Sequence, residues 1–323
     1  MHRFPTRRAV LGAALALAAA ASHAAAFPTR PIRLLVGASA GGTTDTLARE
    51  VAEDMSKTLG QPVIVENKPG AGGNIAAMEV QRAPADGHTL LVAFTSPTMN
   101  ASLFRKLPYD PVADFTPVAL LAKVSSVLVR RAEAPYRDAR DVMARGKADA
   151  KGLSFAIGGT GSSLHMDTYE FEKSAGVRVT QIPFKGTSPA LADVLAGHVD
   201  LMFAPVNGAR PLIQSGKLRA LAVAGPKRIA AFPDAAPITE AVPGYTTNYG
   251  WFGILGPARL PDDVTRALNA AINKAMQQPK VRARLEADGS TPELGTPEQF
   301  AAFLAADVKH WAAQAKAFGI QPE

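Results

Sequence analysis

Ile32-Arg33-Leu34-Leu35-Val36, then Gly37-Ala38-Ser39-Ala40-Gly41-Gly42, then Thr43-Thr44-Asp45 reads as a buried strand, a glycine loop and the start of a helix. A second stretch repeats the plan: Leu153-Ser154-Phe155-Ala156-Ile157, Gly158-Gly159-Thr160-Gly161, and Ser162-Ser163 opening a helix. The first amides of a helix have no partner within it, and the helix dipole makes that end positive. Glycines let the backbone come close to a bound group, so each stretch presents a site for a carboxylate or phosphate. Two such sites, one in each half of the chain, predict two lobes that close on one anion.

The neighbouring sequence supports alternating strands and helices. Leu47, Val51, Met55 and Leu59 recur at i+4 and make one apolar helix face, which Gly60 ends. A strand follows at 62–65, a glycine-rich loop at 67–73, a helix at 74–82 and a strand at 88–94. This alternation implies parallel βαβ units. Residues 118–130 read as one long strand crossing between lobes. The second half then holds a strand at 153–157, a helix at 162–175 and a strand at 177–182. A helix follows with Pro189 at its first position, then strands at 199–203 and 218–224. A return crossing is expected at 249–255. Val264, Leu268, Ile272 and Met276 mark a late helix, and Thr296-Pro297-Glu298-Gln299 is a capping box. Behind it, Phe300, Leu304, Val308, Trp311, Ala315 and Phe318 form a stripe expected to face the core.

A chain of 323 residues, 47% hydrophobic and 20% charged, is globular and long enough for two domains. Residues 1–26 read as a cleaved export signal. Arg3, Arg7 and Arg8 precede the apolar run 9–21, which is too short to span a bilayer, and Ser22-His23-Ala24 or Ala24-Ala25-Ala26 supplies the cleavage site. Thr6-Arg7-Arg8-Ala9-Val10-Leu11 suits twin-arginine export, and an ordinary secretory signal fits equally well. Removing this leader lowers the formal net charge from +7 to +4, a mild balance that argues little for nucleic acid. With no cysteine there is neither a disulfide nor a lipid-bearing residue, so a free periplasmic protein resting on its core is expected. A monomer is the default.

Gly37-Ala38-Ser39-Ala40-Gly41 also matches the nucleophile elbow of α/β-hydrolases. The match sits on the first strand of the mature chain, and the only late histidine, His310, lies on a helix beside Trp311, so a serine hydrolase using Ser39 is disfavoured. His165 stands one helical turn after the second glycine loop and is read as supporting it rather than touching a ligand. Lys185 reads equally as a cleft cation or a solvated lysine, and Asp45 as a cap of its own helix or a ligand contact through water. No His or carboxylate spacing suits a metal, and no dinucleotide or P-loop pattern is present, so neither metal nor cofactor is expected.

The whole mature chain, roughly 27–320, resembles the substrate-binding proteins of tripartite tricarboxylate transport systems, the Bordetella uptake family. The resemblance rests on several stretches. They are Pro31-Ile32-Arg33-Leu34-Leu35-Val36, Gly41-Gly42-Thr43-Thr44-Asp45, the run from Gly60-Gln61-Pro62-Val63 to Lys68-Pro69-Gly70-Ala71-Gly72-Gly73-Asn74, Leu107-Pro108-Tyr109-Asp110-Pro111, Lys185-Gly186, Gly216-Lys217-Leu218-Arg219-Ala220-Leu221 and Trp251-Phe252-Gly253.

The resemblance implies an α/β, two-lobed periplasmic-binding-protein fold of type II, with two crossover strands and an organic acid in the cleft. Lobe 1 would hold 27–123 and 250–323, and lobe 2 would hold 124–249. It implies carboxylate binding by Ser39, Ala40, Gly41, Gly42, Thr43, Thr44 and Asp45 and by Gly159, Thr160, Gly161, Ser162 and Ser163, with His165 also matching. A loop carrying Thr95 and Ser96, with Asn100 behind, and the Lys185-Gly186 loop would complete the cleft. The implied partners are a small carboxylate and either membrane transporter subunits or a sensor kinase, with no enzyme activity.

Six residues in four places depart from the family pattern. Ser39 and Ala40 replace prolines, Ile157-Gly158 replaces a pair of serines, Phe184 replaces a tyrosine, and Ala204 replaces an aspartate. The expected ligand is therefore a mono- or dicarboxylate with an apolar or aromatic body, rather than an amino acid or citrate.

Overall fold

The computed structural model describes residues 27–320 apart from 42, 158–161, 185–186 and 226. The export signal and the expected contacts Gly42, Gly159, Thr160, Gly161, Lys185 and Gly186 lie outside the described residues.

The chain builds two mixed sheets. The first contains β1 (Ile32–Val36), β2 (Val63–Asn67), β3 (Thr89–Phe94), β4 (Phe115–Val124), β10 (Gly250–Pro257) and β11 (Ser290–Pro292), in the order β11-β4-β10-β3-β1-β2. The second contains β5 (Ser126–Arg131), β6 (Leu153–Ile157), β7 (Val179–Pro183), β8 (Leu201–Pro205) and β9 (Leu218–Ala224), in the order β7-β6-β8-β5-β9. In the first sheet β1 runs parallel to both neighbours, with Leu34 opposite Val65 and Leu90. Strands covered on both faces read as continuous apolar runs, which is why β1 and β3 carry no clean alternation.

Helices cover both sheets. With the first go α1 (Thr43–Leu59), α2 (Asn74–Gln81), α3 (Ser96–Leu103), α8 (Asp262–Met276), α9 (Pro279–Ala287) and α10 (Pro297–Ala317). With the second go α4 (Ala139–Ala148), α5 (Ser163–Ala175), α6 (Thr187–Ala196) and α7 (Val206–Gln214). Leu47, Val51 and Met55 of α1 share a core with Leu268 and Ile272 of α8, as their i+4 spacing predicts. In the second sheet Phe155, Phe171 and Phe203 form a cluster.

The structure corrects four details. Residues 118–130 are two strands: β4 ends at Val124 in one sheet and β5 starts at Ser126 in the other. A hydrophobicity pattern does not register such a change of partner. The expected loop at Thr95 and Ser96 is the start of α3, with Thr95 as its N-cap residue. Helix α6 starts at Thr187, so Pro189 is in the first turn but not at its first position; its missing N–H still costs nothing there. The capping box at Thr296 and Gln299 is present, but the buried stripe behind it includes Asp307 where Val308 was expected.

Helix α10 joins the two halves. Its Trp311 packs with Met99 of α3 and Met166 of α5, and Phe318 just beyond it stacks on Tyr169 at 5.3 Å.

Candidate functional site

Both crossings between the sheets run through one place. The first is Val124-Ser125-Ser126, and the second is the segment 247–249 leading into β10. A cavity of about 220 Å³ opens here. The first-sheet side supplies Phe94, Thr95 and Ser96, the second supplies Ser162, Ser163 and Leu164, and the crossings supply Ser125, Ser126, Asn248 and Gly250. Most of the wall is apolar. A Cβ built on Gly250 would lie 3.3 Å from Ser163 Oγ, 3.6 Å from Val124 Cβ and 3.7 Å from Thr95 Oγ1. The two halves and the first crossing therefore converge on Gly250, where any side chain would intrude.

Of the expected contacts, Thr95, Ser96, Ser162 and Ser163 lie together on this cavity. The Trp251 amide donates to Thr95 Oγ1 at 3.0 Å, tying α3 to β10. Trp251 is held in turn by Asp307, whose Oδ2 accepts from Trp251 Nε1 at 2.8 Å and from Thr98 Oγ1 at 2.6 Å. Burial pushes the Asp307 carboxyl up, and these donors act against it. Behind α3, Asn100 Nδ2 donates to Asn74 Oδ1, which also accepts from the Tyr109 hydroxyl. Ser162 caps α5, its hydroxyl accepting from the His165 amide.

The first loop is held by side chains of its own lobe. Ser39, Ala40 and Gly41 are exposed, and Thr44 and Asp45 are buried. The Asp45 carboxylate accepts from Gly41 N at 2.8 Å, Asn67 Nδ2 at 2.9 Å and Arg49 Nε at 3.0 Å. Burial raises the Asp45 pKa, but Arg49, the Gly41 amide and Asn67 outweigh it and hold the carboxyl below its ordinary range. The loop also rests on the 70–73 turn: a Cβ on Gly37 would stand 2.8 Å from Gly73 Cα. Gly37 therefore allows a backbone-to-backbone approach to Gly73.

His165 bonds Gln181 Oε1 at 2.6 Å and packs on Tyr169 at 4.7 Å between ring centroids. Burial lowers its pKa and so favours the neutral ring, against the Gln181 hydrogen bond. Ala204 packs within the core beside Val127, Val129 and Ala156, and its neighbour Pro205 lines the cavity. The described histidines are engaged away from Ser39: His88 with Asp86, His165 with Gln181, His198 with Asp193 and His310 with Asn248. A Ser39 nucleophile gains no base from these contacts. Among the described residues no group of three or more acids and histidines is placed to hold a metal. No helix among them is long and apolar enough to cross a membrane.

Several lining residues carried no motif. Chief among them is Asp167 on α5, fully buried, whose Oδ2 accepts from Ser126 Oγ at 2.6 Å and whose Oδ1 accepts from the Tyr245 hydroxyl at 2.8 Å. Burial pushes its pKa up to about 7 even though Ser126, Tyr245 and Asn248 oppose the rise. The available signal was an aspartate one residue after Met166 and four before Phe171, on a helix face that otherwise reads as core.

Two sheets joined by two crossings, with a cavity at the junction, define a two-lobed periplasmic-binding-protein fold. The chain belongs to the tripartite tricarboxylate transporter receptor family, whose model matches residues 47–320. It is 34% identical to Protein BugT of Bordetella pertussis over 94% of each chain. Among solved structures, Rhodopseudomonas palustris Rpa4515 with adipate superposes with a TM-score of 0.84 at 33% identity, covering 92% of this chain and 100% of that one. MatC from the same organism, with bound malate, gives 0.77 at 35% identity, covering 89% and 99%.

Proposed function

We propose that this protein is a periplasmic receptor that captures a small organic carboxylate between its lobes and passes it to a membrane transporter, with no chemistry of its own. The observation that carries the reading is the cavity at the crossings, whose wall includes both the N-terminus of α5 and the start of α3. Helix N-termini favour a carboxylate. The mostly apolar wall suits a ligand with an apolar or aromatic body. Adipate in Rpa4515 and malate in MatC support a carboxylate as the class.

In this reading the lobes comprise 27–123 with 250–323, and 124–249. They rotate about the two crossings and trap the ligand between the 39–45 loop, Thr95 and Ser96, and the 159–163 loop. His165 braces the last of these, and the 185–186 loop closes the rim. Closure follows from tighter binding to the closed form, whose shape the transporter subunits recognise.

The test is a thermal-shift screen of the mature protein against aliphatic and aromatic acids, citrate and aspartate, followed by calorimetry on hits. Ligand at 100 times its Kd adds about 2.7 kcal/mol of stability. Stabilisation by aliphatic or aromatic acids is the expected result. Binding confined to citrate or aspartate would overturn the apolar-body reading, and no binding by ligand-stripped protein would overturn the carboxylate reading.

A further inference from the structure

Beside the helix ends, the cavity is lined by a buried carboxamide and a buried carboxyl. Asn248 is 1% exposed and its Oδ1 contacts His310 Nε2 at 3.2 Å, which fixes the carboxamide. Its Nδ2 is buried, makes no hydrogen bond within 3.5 Å, and is near enough to Asp167 to act against the rise in that carboxyl's pKa. A buried N–H without a partner is costly, and here it stands on the lining of a cavity. Asp167, one turn into α5, lines the same cavity, its two oxygens bound by Ser126 and Tyr245. This part of the lining thus combines one donor that lacks a close partner with one carboxyl.

We propose that this wall reads the far end of the ligand: Asn248 donates to a neutral acceptor such as a hydroxyl or carbonyl oxygen, and Asp167 bars a second carboxylate. The inference rests on the carboxylate reading above and narrows it. The ligand's single carboxylate lies toward the N-terminus of α5, and its uncharged polar end lies against the crossings. Two carboxylates a few ångströms apart in a poorly solvated site repel each other, so a diacid can enter only by drawing a proton onto one of them. Burial already lifts Asp167 toward pH 7, which makes that proton readily available there. Among the described residues, the other titratable groups on this side are Tyr245, bonded to Asp167, Glu170 one turn along α5, bonded to the Thr246 amide, and His310 behind Asn248. No lysine or arginine among the described residues acts on Asp167.

The experiment compares matched acids on the full mature protein at pH 8, where Asp167 is ionised. One series is hexanoate, 6-hydroxyhexanoate and adipate, and the other is benzoate, 4-hydroxybenzoate and terephthalate. In whichever series binds, the hydroxy acid is expected to bind tightest and the diacid weakest, by roughly tenfold to a hundredfold. Asp167→Asn should raise diacid affinity and leave the hydroxy acid nearly unchanged. Asn248→Ala should erase the advantage of the hydroxy acid over the plain acid. Calorimetry in buffers of different ionisation enthalpy should show proton uptake with the diacid alone, a signature that a merely structural Asp167 would not produce. Diacid binding as tight as hydroxy-acid binding in the unmodified protein, without proton uptake, would overturn the inference and leave the carboxylate reading standing. Failure of every acid in both series to bind folded, ligand-stripped protein would remove both.

Discussion

Asp167 should make this protein more stable as the solution is acidified from pH 8 to 5.5. Its carboxyl has an ordinary pKa of 3.8 in the unfolded chain and about 7 in the folded one, because burial outweighs its three hydrogen-bonding neighbours. A raised carboxyl pKa means that the folded state holds the proton more tightly. The associated stability is fully present below about pH 4 and is lost as pH rises through about 7. Between pH 8 and 5.5 this one group is worth about 2 kcal/mol, about four-fifths of it gained below pH 7. His165 acts in the opposite sense, since burial lowers its pKa and acidification must charge it in a site that disfavours charge. Asp45, Glu66 and Glu79 have lowered pKa values and titrate below this window.

The clean measurement is therefore a difference. Urea unfolding of ligand-free wild type and Asp167→Asn, each at pH 5.5 and pH 8, cancels the contributions the two proteins share. The wild type should gain about 2 kcal/mol more than the variant on acidification. Parallel pH profiles would refute the placement of Asp167 as a buried, largely uncompensated acid at the crossings.

Gly250→Val should weaken binding of any acid found in the screen by roughly tenfold or more, the factor given by about 1.4 kcal/mol of intrusion, as read by calorimetry. Gly37→Ala sets a Cβ 2.8 Å from Gly73 Cα and should cost about 1–3 kcal/mol of stability, seen as a lower denaturation midpoint. Asp307→Ala strands the Trp251 and Thr98 donors and should destabilise by roughly 2–4 kcal/mol, with Asp307→Asn losing distinctly less in the same assay. Trp311→Ala opens the cluster shared by α3, α5 and α10 and should cost about 3–5 kcal/mol.

Much of the fold was legible because burial leaves periodic marks. The i+4 rows of α1 and α8, the largely apolar runs of β1, β3 and β6, and the Thr296 cap all follow from local rules. Glycine loops after strands pointed to the starts of α1 and α5, and of these the start of α5 lines the cavity. Local rules failed where a partner lay far along the chain. The break at Ser125 is marked only by the polar pair Ser125-Ser126, which does not reveal that β4 and β5 join different sheets.

The chain on its own determined the two-lobed α/β class, its family and the loops that carry its candidate anion sites, since each depends on residues close together in sequence. Only the tertiary structure decided what stands at the crossings. Asp167 meets Tyr245 from 78 positions away, Asn248 meets His310 from 62 away, and Thr98 meets Asp307 from 209 away. Burying a polar group is tolerable only with such partners, and which partners arrive is set by packing rather than by any neighbouring residue.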